Sequence, residues 1–388
     1  MQEGIGLTII RNGEIHSPSP LGKKDLLIAG GKIIAIADHI EPLHGYDVTV
    51  IDARDLFVIP GLIDLHVHIL GGGGEDGPAS RVPEIRLSAL ARAGTTTVVG
   101  VLGTDAVTRS PESLLVKARA LCDEGMNAYI YTGSYHLPSV TITGSVERDL
   151  ALIDQVVGVK IAISDHRGSQ PTTEELVRLA SQVRVGAMLG GKSGIVHLHV
   201  GSGKRGIGPI LDALDASELP INLFLPTHMA RTPVLLEQGI EFVRRGGNID
   251  LTAHSDERET VAAMDKLITE DVDLVHVTLS SDGNGSMPVF NEKKELVGMK
   301  TGSVTTLLHS VRAIVSRGLM PLSEALALVT TNPASRLGLV GKKGGIAEGA
   351  DADLVILDDH FMLDKVLCNG RLMVDRGQAI VTGRFEAQ

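Results

Sequence analysis

Between residues 57 and 344 the sequence alternates short apolar, strand-like runs with segments of helical periodicity, and that alternation leaves few folds open. Candidate strands end near His68, Gly103, Tyr135, Lys160, His199, His228, His254 and Asp282. Between them lie periodic segments such as 83–93, 113–124, 173–183, 234–245 and 257–268. Strands that alternate with helices pair in parallel. Eight such units in about 250 residues predict a closed (β/α)8 barrel of the TIM type. An open doubly wound sheet is the alternative, but it would gather chemistry only at its switch point. Here every candidate strand ends at, or one residue from, a side chain capable of chemistry. That favours the barrel, whose active sites sit at the C-terminal ends of the strands.

The two ends of the chain read differently. Leu7-Thr8-Ile9-Ile10 runs into Asn12-Gly13, a hairpin signal, and short apolar runs separated by Gly30-Gly31 follow. The C-terminal segment repeats the pattern around Asn369-Gly370. Neither end has enough strands for a stable sheet alone, so residues 1–56 and 345–388 are expected to share one small β-sandwich domain. The α/β barrel, residues 57–344, is inserted between them.

Composition removes several function classes. Hydrophobic residues at 43% and charged residues at 21% are globular values. Cys122 and Cys368 are too few for a secreted disulfide scaffold or a thiolate zinc cluster. A net charge of −11 and only 3% aromatics argue against nucleic acid as a partner. No run approaches the roughly 18 apolar residues of a membrane span. Met1-Gln2-Glu3-Gly4 lacks the basic-then-apolar order of a signal peptide, so a cytoplasmic location is expected. The surplus is in histidine, with 14.

The strongest local signal is Gly61-Leu62-Ile63-Asp64-Leu65-His66-Val67-His68. Histidines at i and i+2 on a strand share a face, so both imidazoles can reach one ion; a chance pairing in a histidine-rich chain is the plain alternative. His199 and His228 end the fifth and sixth strands and Asp282 the eighth. Lys160 sits inside the apolar run Gly158-Val159-Lys160-Ile161-Ala162-Ile163, where an unpaired charge is costly. It either forms a buried salt bridge with a barrel aspartate or loses its proton, and a neutral amine can add carbon dioxide to become an anionic carbamate. Tyr135, near the end of the third strand, is either core packing or a hydroxyl donor to a site.

These residues, in this order, resemble the amidohydrolase superfamily of metal-dependent hydrolases. Its pattern is His-x-His after strand one, lysine on strand four, histidines on strands five and six, and aspartate on strand eight. Thr331-Asn332-Pro333-Ala334 and Gly349-Ala350-Asp351-Ala352-Asp353 are similar to that superfamily's return to its small β-domain. Within it, several motifs resemble the isoaspartyl dipeptidase family. They are Gly71-Gly72-Gly73-Gly74-Glu75, Leu102-Gly103-Thr104-Asp105, Thr132-Gly133-Ser134-Tyr135-His136 and Ile163-Ser164-Asp165-His166-Arg167, together with Thr227-His228-Met229-Ala230-Arg231 and Ser281-Asp282-Gly283-Asn284-Gly285-Ser286.

The resemblance implies two zinc ions per subunit. His66 and His68 would bind the more buried one and His199 and His228 the more exposed, with carbamylated Lys160 bridging both and Asp282 touching the buried ion. Two zinc ions set against carbamate, Asp282 and a bridging hydroxide leave the cluster at about +1, attractive to a substrate carboxylate. Metal coordination lowers the pKa of water to about 7, giving hydroxide at neutral pH. Asp282 would take the hydroxide's proton and pass it to the leaving amine, and Tyr135 would donate to the developing oxyanion. Isoaspartyl dipeptides carry one ammonium and two carboxylates. Glu75 would meet the ammonium, and Arg167, Arg231 and Ser286 the carboxylates, with Thr104 and the backbone near Gly73 assisting. The resemblance also implies a homo-oligomer, an octamer among the options.

Other signals carry less. The stretch from Gly186 to Ser193 matches the phosphate-loop formula, but a helix precedes it and a strand follows, the reverse of what that loop needs. His197 shares a face with His199 one layer deeper, His254 ends strand seven near the site, and His136 and His166 should point away. Two other functions share much of this pattern: a cyclic-amide hydrolase of the hydantoinase or dihydroorotase kind, and a non-catalytic assembly protein. Glu75 separates the first, which has no substrate ammonium to meet.

Overall fold

The computed structural model describes residues 6–42, 44–290 and 296–386; the signal-peptide reading of Met1-Gln2-Glu3-Gly4 lies outside them. Alternating burial along the first sixty residues gives five strands: β1 (Leu7–His16), β2 (Pro20–Ala29), β3 (Lys32–Ala37), β4 (Val48–Asp52) and β5 (Phe57–Pro60). Gly30 and Gly31, with φ of 56° and 77°, supply the two left-handed positions of a two-residue β2–β3 hairpin. The hairpin expected at Asn12-Gly13 is not there. Asn12 is left-handed at φ 61°, but the β1–β2 register shifts between Ile10 and Gly13 and the strand runs on to His16. The dipeptide makes a bulge instead, and Asp25 accepts the Asn12 N–H at 2.9 Å.

The next eight strands run in parallel: β6 (Leu62–Val67), β7 (Thr95–Gly100), β8 (Asn127–Gly133), β9 (Val156–Ile163), β10 (Val196–Val200), β11 (Phe224–Thr227), β12 (Ile249–Thr252) and β13 (Val277–Ser280). The ladder is continuous from β6 to β11, and β12 pairs with β13 as a second sheet. Single backbone contacts join the two. Val67 bridges Gly283 in parallel, the His68 N–H donates to the Gly283 carbonyl at 2.9 Å, and the Met229 N–H to Asp250 at 3.3 Å. β11 lies at the edge of the six-stranded sheet, a place where Pro226 with its missing N–H is tolerated. The architecture is thus a curled parallel sheet whose ladder stops short of all eight strands.

Helices follow the strands: α1 (Leu87–Arg92), α2 (Pro111–Asp123), α3 (Val146–Leu152), α4 (Thr173–Leu189), α5 (Gly208–Asp215), α6 (Pro233–Arg244) and α7 (Glu257–Thr269). Their starts are encoded locally. Ser110 and Thr232 cap α2 and α6 ahead of Pro111 and Pro233, and Thr172 with Glu175 forms a capping box on α4. The helix expected over 83–93 is confined to α1. In the phosphate-loop look-alike, Gly186 lies within α4, and the Lys192 ammonium donates to the carbonyls of Leu150, Ile153 and Val156. Its charge is used to close the end of α3.

After the hairpin β14 (Ser286–Phe290) and β15 (Leu296–Thr301) come α8 (Thr306–Ser316), α9 (Leu322–Ala327) and α10 (Thr331–Leu337). The last strands are β16 (Leu354–Leu357), β17 (Leu363–Cys368), β18 (Arg371–Asp375) and β19 (Gln378–Ala379). β16 pairs antiparallel with β5, so both ends of the chain lie in one mixed nine-stranded sheet. Buried Ile10, Ile15, Leu26, Val58, Leu354 and Ile356 form its core. No described helix is long and apolar enough to cross a membrane.

Candidate active site

Strand alternation puts Asp64, His66 and His68 on one face of β6 and its extension. The Asp64 carboxylate accepts the Ser281 N–H at 3.1 Å and the His66 N–H at 3.2 Å, tying this end of β6 to the end of β13. Two residues past β13, Asp282 is held at φ 50°, which turns its carboxylate inward. Its Oδ1 lies 3.2 Å from His68 Nε2 and 3.4 Å from His66 Nε2. One ligand atom from each of these three residues falls within 4.8 Å of the others.

Lys160 is fully buried in the middle of β9, three residues before the strand ends. Its Nζ lies 2.9 Å from His66 Nε2, and among the described residues no carboxylate oxygen is within 4 Å of it. The salt-bridge alternative is therefore not what forms. Asp250, the nearby buried aspartate, accepts instead from Thr227 at 2.6 Å, Thr278 at 2.7 Å and Ser280 at 2.5 Å. Burial without a close anion pushes the Lys160 pKa down to about 7. A lysine whose ammonium is disfavoured in this way is the kind that can add carbon dioxide as a neutral amine.

On β10, His199 Nδ1 is 2.8 Å from the Tyr135 hydroxyl and Nε2 is 2.9 Å from Asp165 Oδ2. The His228 ring sits 4.6 Å from that of His199 and 5.1 Å from that of His66, with Nδ1 2.7 Å from Thr252 Oγ1. Of the expected ligand set, His66, His68 and Asp282 bring ligand atoms within 4.8 Å of one another, Lys160 and His228 lie beside His66, and His199 has its two ring nitrogens on Tyr135 and Asp165. Asp165 carries no assigned role in the sequence reading, which ends the fourth strand near Lys160; β9 runs on to Ile163 and sets Asp165 just beyond its end. Burial would raise the Asp165 carboxyl, but hydrogen bonds from His199 and Arg167 outweigh it and hold it well below the usual range. Burial drives the Tyr135 phenol well above its ordinary pKa, so it stays a donor at neutral pH. His197, expected as interior filling, has a contact of its own: Nε2 is 3.0 Å from His66 Nδ1 while the ring stacks on Tyr131 at 4.7 Å.

A second cluster lies at the mouth. Glu75 accepts from Thr104 Oγ1 at 3.1 Å and Ser286 Oγ at 3.2 Å, and Arg167 Nη1 approaches it at 3.5 Å. Arg167 joins the two clusters: it donates to Asp165 at 2.8 Å, and its guanidinium lies 5.5 Å over the Tyr135 ring. Arg231 donates to the Val200 carbonyl at 3.0 Å with Nη1 3.3 Å from His199 Nε2. Gly73 is left-handed at φ 76°, and a Cβ there would meet the Ser80 carbonyl at 2.2 Å. His136 and His166 are exposed, His254 faces Glu259 at 3.5 Å, and His276 bonds Asn248 at 2.8 Å.

Imidazoles, a carboxylate and a near-neutral lysine are a donor set suited to zinc. The buried Nδ1 of His68 has no hydrogen-bond partner, and a strained backbone aims both His228, at φ 66°, and Asp282. The chemistry of that donor set fits a metal centre, while His66 and His199 here spend their ring nitrogens on Lys160, His197, Tyr135 and Asp165.

The model of the amidohydrolase family matches residues 57–373. The crystal structure of a beta-aspartyl dipeptidase from the thermophilic keratin degrader Fervidobacterium islandicum AW-1, in complex with beta-Asp-Leu dipeptide, is 47% identical. That likeness covers 96% of this chain and 98% of the other, with a TM-score of 0.90. A D-hydantoinase from Thermus sp. is 19% identical over 97% of each chain with a TM-score of 0.70, which speaks for the fold alone. Adenine deaminase 1 of Latilactobacillus sakei is 22% identical over 95% of this chain, which spans 58% of that protein's length.

Proposed function

This chain belongs to the amidohydrolase family, and on that premise we propose that it is a metal-dependent dipeptidase that cleaves the β-aspartyl (isoaspartyl) bond of small peptides. In this reading residues 57–344 supply the catalytic (β/α)8 barrel apart from β5, which pairs with β1 and β16, and 1–56 with 345–388 form the rest of the small terminal domain. The observation that carries the reading is Glu75 beside Arg167, Thr104 and Ser286 at the mouth of the histidine cluster. An anion set among cationic and hydroxyl groups suits a substrate with one ammonium and two carboxylates. A cyclic amide offers no ammonium for it.

His66, His68, Lys160 as its carbamate, His199, His228 and Asp282 would hold two zinc ions. Zinc bound there would polarise the scissile carbonyl and make water nucleophilic at neutral pH. Asp282 would take the proton of the attacking water and return it to the leaving amine. Tyr135, protonated at neutral pH, would donate its O–H to the carbonyl oxygen as charge builds. Glu75 would accept the substrate ammonium, and Arg167, Arg231 and Ser286 would hold the carboxylates, with Thr104 and the Gly73 backbone completing the pocket.

The test is an assay of purified, zinc-loaded protein on β-aspartyl-leucine, α-aspartyl-leucine and hydantoin. Turnover of the β-linked dipeptide is expected. Turnover of hydantoin alone would sink the reading in favour of a cyclic-amide hydrolase.

A further inference from the structure

Arg109 follows β7, outside the histidine cluster, and only 7% of its surface is exposed. A guanidinium has five N–H bonds in one plane, and here five acceptors meet them. Nε donates to the Leu70 carbonyl at 3.3 Å. Nη1 donates to the Gly73 carbonyl at 3.2 Å and to Asp105 Oδ2 at 3.0 Å. Nη2 donates to the carbonyls of Gly72 at 3.0 Å and Val82 at 3.2 Å. All four carbonyls belong to the loop after β6 that carries Glu75. The carboxylate belongs to the loop after β7, one residue from Thr104.

The glycine loop is held in part by its own backbone, with the Val82 N–H on the Gly72 carbonyl at 3.0 Å, and by the Gly72 N–H on the Asn284 carbonyl at 2.9 Å. Gly71, Gly73 and Gly74 have φ of 80°, 76° and 104°, and four carbonyl dipoles converge on one point, which is repulsive unless a cation sits there. Asp105 is fixed from its own side by the N–H groups of Val107 at 3.1 Å and Thr108 at 2.8 Å. The guanidinium therefore locks one loop to the other, and the Thr104–Glu75 hydrogen bond of 3.1 Å spans the same two loops. A lysine has three donors and no planar fork, so it cannot repeat the pattern.

Resting on the dipeptidase reading above, we infer that Arg109 is a positioning residue that sets specificity for the substrate's α-ammonium, by fixing Glu75 against Thr104. It bonds no member of the histidine cluster and reaches the proposed pocket only through the outward-facing acceptors of its loops, the Gly73 carbonyl and Asp105 among them, so its loss should weaken ammonium recognition and leave bond cleavage intact.

The experiment compares wild type, Arg109→Lys and Asp105→Asn in three measurements: steady-state kinetics on β-aspartyl-leucine, inhibition by succinyl-leucine, and zinc per chain. Succinyl-leucine is the same amide without the ammonium. In Arg109→Lys, KM for the dipeptide should rise on the order of tenfold, with kcat, zinc content and the succinyl-leucine Ki unchanged. Asp105→Asn should show the same split, smaller in size. If Arg109→Lys fails to fold, Asp105→Asn decides by the same criteria. An unchanged KM, or a KM and Ki that rise together, overturns the inference. Wild type that ignores β-aspartyl-leucine overturns the dipeptidase reading instead.

Discussion

The Tyr135 hydroxyl lies 2.8 Å from Nδ1 of His199, so a phenol with a strongly raised pKa shares an imidazole with the ligand cluster. In the proposed reaction it donates to the oxyanion. Tyr135→Phe should lower kcat by about 10²–10³-fold, the cost of removing one such donor. Zinc content and KM should stay near wild type. A loss confined to KM would remove the hydroxyl from the chemistry and leave it a binding role.

Asp165 accepts from His199 and Arg167 at once, which sets the tautomer of the imidazole and the aim of the guanidinium. Replacing the orienting carboxylate of a metal-binding histidine costs about 10–100-fold in metal affinity or activity. With His199 as a zinc ligand in the proposed site, Asp165→Asn should fall in that range, read by zinc competition with a chelator. Wild-type affinity in the variant would show that His199 needs no partner.

Lys160→Ala removes the amine that would carry the carbamate and leaves a cavity beside His66. Activity should vanish, and short carboxylates such as acetate or propionate should restore part of it by standing in for the missing anion. Unchanged activity in the variant would eliminate the bridge.

Asp250 gives a pH signature in stability. Burial raises its carboxyl from an ordinary 3.8 to about 6, against the lowering effect of its three hydroxyl donors. Between those values the unfolded chain has released the proton and the folded chain still holds it. Its contribution is therefore fully present below pH 3.8 and is lost as pH rises through about 6. The gap corresponds to about 3 kcal/mol. Asp250→Asn keeps the hydroxyl partners and abolishes the titration. The wild-type advantage in Tm over the variant should shrink from pH 4 to pH 6 and level off above; a constant difference would rule this out.

What was legible in the sequence followed from strict local rules. His66 and His68 could be paired because a strand repeats every two residues, and Lys160 stood out because charge in an apolar strand is rare. The gathering of Glu75, Thr104, Arg167 and Ser286 was readable only by family likeness, since no periodicity links four separate loops. Asp165 stood in a family motif without a readable role and Arg109 in none, because their importance lies in what they accept or donate across loops, including carbonyls that every residue has. Asn12-Gly13 misled because a left-handed asparagine serves a bulge as well as a turn. The short helices α3 and α5 span too few turns to show a helical period.

The pairing of β5 with β16 has a consequence for synthesis. Phe57 faces Leu357 across the sheet, so β5 waits for a partner that emerges 300 residues later. At typical bacterial or eukaryotic elongation rates that is roughly 15–60 s during which one margin of the nascent sheet has nothing beside it. An open margin invites pairing with another ribosome's product. β5 is only four residues long and closes on Pro60, which cannot donate, so it offers a poor template to a stranger. The brevity of that strand protects the chain while it is being made.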